Sequence, residues 1–404
     1  MNITGIITEY NPLHFGHILH IEKSKEITNC DGIICVMSGN FVQRGLPAII
    51  NKWDRAKMAL EAGVDLVLEL PTLYAISSAE HFAFGAVSTL NSLNIVSNLC
   101  FGSEEGDISL IKIISQILSD EPEEFKLLLK EELSTGLPFP RARAKALNTF
   151  LSKYNNLSID DSKLLDFLNS SNNILGIEYC KSLIKLKSNI NAVTIKREHS
   201  NYNDINLNTT KFQSATAIRE LLYKKDFLST EKFLPDFSYN ILNFQKEFSE
   251  VNEIYNFVKY KIISDPQSLK NISEATEGLD NKILKEIVNS NNLKELIENC
   301  KSKRYTYTRI SRIICNIFLG VTRDFDLLKK STPNYIRVLG LSPKGSKILK
   351  EIKKNSDITI ITKIPSKIED PLLKLDLKAT DLYSLLKPSM KLNSDYLISP
   401  VIKK

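Results

Sequence analysis

Apolar residues follow two alternating patterns over the first two hundred positions. Short runs of β-branched residues predict strands at Ile3–Ile7, Gly32–Met37, Asp65–Leu70 and Ala192–Lys196. Between them, apolar residues three and four apart predict helices at His17–Lys25, Lys52–Ala62, Ser78–Leu93 and Ile174–Leu186, with further helices around Leu110–Leu118 and Ala142–Lys153. Strand and helix in alternation is the pattern of a parallel sheet with crossover helices, a doubly wound α/β domain. Ligands of such sheets sit beyond the carboxyl ends of the strands, so the loops after Ile7, after Met37 and near Phe101 are expected to converge on one crevice.

The pattern changes near residue 225. Strand runs give way to Lys-, Glu-, Leu- and Asn-rich helical periodicity, with helices expected at Asn252–Ile263, Asn281–Val288 and Tyr307–Leu319. Beyond about residue 335 the chain reads as a strand (Ile336–Leu341), a lysine-rich helix (Lys344–Lys353) and a second strand (Ile358–Ile361). The expectation is therefore an α/β domain over residues 1–225, followed by a mainly helical domain over 226–404 that carries a small α/β appendage.

Composition narrows the class. Apolar residues make up 43% and charged residues 25%, as in a globular chain. The start, Met1 to Ile7, has neither a basic region nor a cleavage site and reads as a buried first strand rather than a leader. No run approaches the roughly eighteen uncharged apolar residues that a spanning helix needs. The six cysteines, Cys30, Cys35, Cys100, Cys180, Cys300 and Cys315, are scattered, with no Cys-x-x-Cys pair, which fits free thiols in a reducing, cytoplasmic setting. A formal charge of +6, from 53 basic and 47 acidic residues, is compatible with an RNA partner without requiring one.

The densest chemistry lies at Thr8-Glu9-Tyr10-Asn11-Pro12-Leu13-His14-Phe15-Gly16-His17-Ile18-Leu19-His20, where an apolar strand turns at Asn11-Pro12 and opens a helix. Gly16 lets a ligand approach the backbone, and the helix start offers unpaired N–H groups to a triphosphate. His14 and His17, three apart, can both aim hydrogen-bond donors at phosphates as charge develops. The alternative, two histidines that merely cap a surface helix, leaves the strand–turn–helix context unexplained. A metal site would need a third ligand that the neighbouring sequence lacks.

A second phosphate cradle is read at Ser214-Ala215-Thr216-Ala217-Ile218-Arg219, a helix start after the polar loop 201–210, with Arg219 one turn in. An ordinary serine cap explains that segment nearly as well, so its weight comes from pairing with the first motif. In the loop after the second strand, Asn40, Gln43 and Arg44 are candidates for a small carboxylate, against the alternative of a solvated arginine. Near the C-terminal end of the helical part, Lys301, Lys303, Arg304, Arg309 and Arg312 interleave with Tyr305 and Tyr307. Cations for phosphates and aromatics for exposed bases suit RNA, while Ile310, Ile313, Ile314 and Ile317 suit a buried helix face, and both can hold.

The two motifs resemble the His-x-Gly-His and Ser/Thr-plus-Arg signatures of the nucleotidyltransferase superfamily. More closely, the chain resembles the bacterial tRNA(Met) cytidine acetate ligase family. The resemblance is carried by Thr8 to His20, Met37 to Gly45, Lys52 to Ala56, Asp65 to Pro71, Phe101 to Glu104, Asn172 to Tyr179, Ile195 to Arg197, Ser214 to Arg219 and, further on, Lys303 to Ile310. It implies a Rossmann-like fold and an enzyme that activates acetate with ATP as acetyl-adenylate, then acetylates the exocyclic amine of the wobble cytidine of elongator tRNA(Met). It implies that Ile7 to His20, Gly102, Asn172 and Arg197 hold ATP, with Mg²⁺ expected alongside it. Two other classes share these motifs, a small-molecule adenylyltransferase of cofactor synthesis and a non-catalytic RNA-binding scaffold.

Overall fold

The structure is a computed structural model that describes residues 1–155, 157, 159–197, 213–245, 247–302 and 304–404. Among the described residues ten strands occur in chain order: β1 (Ile3–Thr8), β2 (Gly32–Ser38), β3 (Phe41–Val42), β4 (Leu46–Pro47), β5 (Leu66–Leu70), β6 (Val96–Ser103), β7 (Asn191–Lys196), β8 (Tyr335–Leu341), β9 (Thr359–Ile361) and β10 (Val401–Ile402). Eight form one sheet in the order β10-β8-β5-β2-β1-β6-β7, with β9 pairing β8, while β3 and β4 make a small separate hairpin. From β5 to β7 every pairing is parallel. Both faces are covered. Ile34 and Val36 of β2 enter one apolar core, and Ile33, Cys35 and Met37 enter the other, as the two-residue period of a strand requires.

The chain winds from β1 to β2 to β5 in one direction and returns to place β6 and β7 on the other side of β1. The crevice at that reversal, beyond the carboxyl ends of β1 and β6, is where an open α/β sheet binds ligands. The four strands expected from the sequence are present within one or two residues, and β6 is an addition. Its first three residues, Val96 to Asn98, are partly exposed and polar-interrupted, which breaks the apolar run that marks a buried strand.

The tail departs from the expected appendage. β8 pairs antiparallel with β5, and β9 and β10 extend the same sheet through β8, so residues from 335 onward form an edge of the main sheet. Every residue of β8 is buried. A buried ionic cluster shows why the tail returns: Lys52 lies 2.8 Å from Glu69 and 2.9 Å from Asp395, and Arg337 lies 2.7 Å from Asp395. Lys52 and Glu69 belong to the first part of the chain, and leaving either without its counter-charges in the core would cost several kcal/mol, about 3–5 by analogy with broken buried pairs. Local periodicity carries no information on which strands become neighbours.

Beside this cluster Asp376 accepts from the Thr72 N–H at 2.6 Å and from the Tyr335 hydroxyl. Burial, and then the Glu69 charge, push its carboxyl up to about 7. The folded protein thus holds a proton there that the unfolded chain releases near its ordinary value. This contribution to stability is fully present below the unfolded pKa and is lost as pH rises toward and through 7. Urea melts of the wild type and Asp376→Asn between pH 5 and 8 should show a steeper fall with pH in the wild type. Parallel curves would remove Asp376 from the account.

Among the described residues no helix is long and apolar enough to cross a membrane. All six cysteines are free, five of them buried.

Candidate active site

The helix Phe15–Thr28 begins inside the histidine motif, with His14 as its N-cap. His14 Nδ1 accepts from the Gly16 N–H at 3.1 Å, and the His14 N–H donates to His17 Nδ1 at 3.2 Å. A neutral imidazole has one N–H, so both rings are held with the proton on Nε2. The rings stack at 3.9 Å, and Tyr10, in left-handed backbone at φ 48°, sets its ring edge-on against His17 at 5.0 Å. Burial, then Arg197 and Arg219, lower His14 to about 3; burial, His14, Arg197 and His20 hold His17 well below its ordinary value; burial and Arg197 lower His20 to about 4. All three are therefore neutral donors at pH 7 before any anion arrives. The His20 Nε2 is buried without a hydrogen-bond partner among the described residues.

Two further walls come from β6, β7 and the helix Ala215–Tyr223. Gly102 lies within β6 rather than in the loop expected after a strand, and a Cβ there would stand 3.2 Å from Arg197 Cγ. The bare backbone lets Arg197 lie across the strand end, with its N–H donating to Ser103 O at 2.9 Å. Asn172 is in the first turn of the helix Ser171–Lys185, where its side-chain amide and backbone N–H both donate to Glu104 at 2.9 and 3.2 Å. Asn172 also lines the cavity. Ser214 caps the helix Ala215–Tyr223 through the Ala217 N–H, and Arg219 donates to Asn11 O at 2.7 Å and Thr216 Oγ1 at 3.0 Å. Thr216 thus supports Arg219 instead of lining the cavity, and the loop 201–210 lies outside the described residues.

The loop after β2 is gripped from below. Arg55, fully buried on the helix Lys52–Glu61, donates to Glu9 O at 2.7 Å, Ser38 O at 2.9 Å, Ile50 O at 3.2 Å and Gly39 O. It joins the exits of β1 and β2. Asn40, expected at the carboxylate site, faces the core instead: its amide donates to Thr380 Oγ1 and its Oδ1 accepts from the Lys52 N–H. A residue spent on internal partners at 2% exposure is not a ligand contact, whereas Gln43 and Arg44 do face the cavity. Gly45, at φ 70°, packs on the helix Tyr307–Leu319 so closely that a Cβ would stand 2.6 Å from Arg312 Cα.

These walls enclose a cavity of about 420 Å³, within the range of ligand sites. Of the first motif, Ile7, Thr8, Glu9, Tyr10, Asn11, His14, Gly16, His17, Leu19 and His20 line it. Pro12, Leu13, Phe15 and Ile18 do not, and Leu13 is wholly in the core. Arg44, Lys196, Arg197, Arg219 and Arg312 supply five cations, against Glu9 as the single carboxylate among the described lining residues. That balance suits a polyanion.

Residues 1–396 match the family described as HIGH Nucleotidyl Transferase. A tRNA(Met) cytidine acetate ligase of Clostridium perfringens (strain ATCC 13124) is 60% identical over 402 residues, covering all of both chains. Another, of Clostridium novyi (strain NT), is 50% identical over 412 residues, again covering all of both. The chain belongs to the tRNA(Met) cytidine acetate ligase family. Two crystal structures of Thermotoga maritima TmcAL, 34% identical, cover 100% of this chain and 99% of their own. The TM-score is 0.89 for the form bound with alpha-thio ATP and 0.91 for the apo form.

In this member of the cytidine acetate ligase family the basic segment lies against the cavity wall. Thr308 and Arg312 line the cavity, and Arg312 is 3.7 Å from Glu274. Arg304 and Arg309 share Glu277 at 2.9 and 3.6 Å, and both guanidiniums lie over the Tyr305 ring. Tyr305 was expected to offer a face to bases, but it is buried, with its hydroxyl donating to Glu277 O. Tyr307 is half-buried, and Lys303 lies outside the described residues. The sequence reading missed Arg55 and Glu104 as supports, although both lie in segments that carry the family resemblance. Nothing local marks them, because the groups they hold are 5 to 46 and 68 to 69 positions away.

Proposed function

We propose that this chain activates acetate with ATP, releasing pyrophosphate, and transfers the acetyl group to the exocyclic amine of the wobble cytidine of elongator tRNA(Met). The observation that carries the reading is the pair of Nε2–H imidazoles set at a helix start among five cations, at the switch point of the sheet. Triphosphate binds at that start, and the histidines donate to oxygens that gain charge as the α-phosphate is attacked. Arg197, Arg219 and the Ser214 helix cradle the same anion, with Gly102 and Asn172 toward the nucleoside. Gln43 and Arg44 take the acetate carboxylate.

A Mg²⁺ expected with ATP fits as a passenger of the nucleotide. Among the described residues no group of three His, Cys, Asp or Glu side chains could hold a metal ion, so phosphates and water would supply most ligands. It would offset phosphate charge there. RNA meets the basic edge at Arg304, Arg309, Arg312 and Tyr307, since exposed pairs such as Arg304–Glu277 are weak enough for phosphates to displace. The working compartment is the cytoplasm, where tRNA is found.

Acetate-dependent exchange of pyrophosphate into ATP without RNA, followed by mass spectrometry of tRNA(Met) after full reaction, tests both halves. Exchange and an acetylated cytidine are expected. Exchange with a phosphorylated small molecule instead of acetate would favour the cofactor-type adenylyltransferase, and no exchange with any substrate would favour a scaffold.

A further inference from the structure

We propose that Glu9 is the general base of the transfer step, accepting a proton from the cytidine N4 amine as it attacks the acetyl group; this rests on the function proposed above. Glu9 is out of place in a polyanion site, because a carboxylate on a wall shared with five cations repels the nucleotide that the other groups attract. Its presence there is explained by a partner that donates N–H.

The side chain is built in rather than loose. Glu9 Oε1 accepts from the Gln43 N–H at 2.9 Å, and its own carbonyl is held by Arg55 at 2.7 Å. Burial and, second, the Glu9 charge push the Tyr179 phenol up, so the carboxylate lies near that buried ring. Among the described residues Oε2 accepts no hydrogen bond, which leaves one basic oxygen for a ligand. Its place matters as much. Arg197 and Arg219 raise the positive potential around the histidines, whereas Glu9 is tied to the loop that packs on the helix bearing Thr308 and Arg312. This is the side where the basic segment meets the cavity.

The step balances without another reactant. The N4 lone pair attacks the acetyl carbonyl carbon of acetyl-adenylate, the new C–N bond forms, and the C–O bond to the AMP phosphate breaks with its electron pair leaving on AMP. One N4 proton passes to Glu9 Oε2. An exocyclic amine conjugated with its ring is a weak nucleophile, and a positioned base contributes about 10²- to 10⁴-fold.

The test is Glu9→Gln, whose amide oxygen can still accept from Gln43 while its basicity is gone. Single-turnover acetylation of tRNA(Met) is expected to fall about 100-fold or more. Acetyl-hydroxamate formation from ATP, acetate and hydroxylamine, a nucleophile that needs no base, should fall far less, and acetyl-adenylate should accumulate in the presence of tRNA. Wild-type acetylation by the variant overturns the proposal. So does an equal loss of acetylation and hydroxamate, which would assign Glu9 to the nucleotide, through the adenine amine or a metal. If Glu9→Gln does not fold, Glu9→Asp, which keeps the charge but withdraws it by one methylene, must show the same selective loss. Absence of hydroxamate with the wild-type protein would instead sink the acetate-activating reading itself.

Discussion

His17→Ala is expected to slow acetate-dependent pyrophosphate exchange by about 10²- to 10³-fold while changing ATP affinity much less, the size found when one donor to a developing charge is removed. The reason lies in the cap. His17 Nδ1 is occupied by the His14 N–H, so Nε2–H is its only donor, and Tyr10 and the His14 ring keep the imidazole from turning. A donor held in that way gains most when phosphate oxygens acquire charge, which places its effect in kcat rather than in KM. Loss of the N-cap contact adds a stability effect of about 1 kcal/mol, so melting must be measured on the same preparation. Because burial holds His14 and His17 neutral, exchange in the wild type should show no histidine limb between pH 6 and 8 at low ATP. Equal turnover of wild type and variant would remove His17 from the chemistry.

Arg55→Ala should be the most damaging single change away from the cavity surface, lowering stability by about 3–5 kcal/mol in urea melts and raising the KM for ATP. Four carbonyls, of Glu9, Ser38, Gly39 and Ile50, lose their donor at once. An unsatisfied buried acceptor costs about 1–3 kcal/mol, partly offset here because the guanidinium no longer needs to be desolvated and water can enter the space. Burial, the larger effect, lowers Arg55 to about 10. Arg55→Lys should recover only a fraction, because an ammonium presents its donors from a point and cannot span two strand exits as the planar fork does. Stability within about 0.5 kcal/mol of wild type, with unchanged KM, would show that the grip on the two loops is dispensable.

Much of this was legible along the chain. Ile3 to Ile7, Gly32 to Met37 and the motif between them read as strand, turn and helix because their signals are local: β-branched runs, Asn-Pro at the turn, and apolar residues three and four apart. His14 and His17 could be paired from their spacing alone, and their place beyond the first strand followed from the sheet class. Family resemblance added Gly102, Asn172 and Arg197, residues with no local mark of their own.

Other features depend on distance in space. The tail from Tyr335 onward reads as a small α/β appendage of the helical part, yet β8 joins β5, and the decision rests on Lys52, Glu69, Arg337 and Asp395 meeting in the core. Asn40 and Tyr305 have the residue types of ligand contacts, but packing spent both on internal partners. The sequence by itself determined four strands of the first two hundred residues, the helix that the histidine motif opens and the motif itself, because strand and helix periods and caps are properties of neighbouring residues. The tertiary structure alone decided the edge of the sheet, the Arg55 grip and the isolation of Glu9 among cations. Each of these is a balance of charge and hydrogen bonding between groups far apart in the chain, and that balance exists only once they are brought together and water is removed.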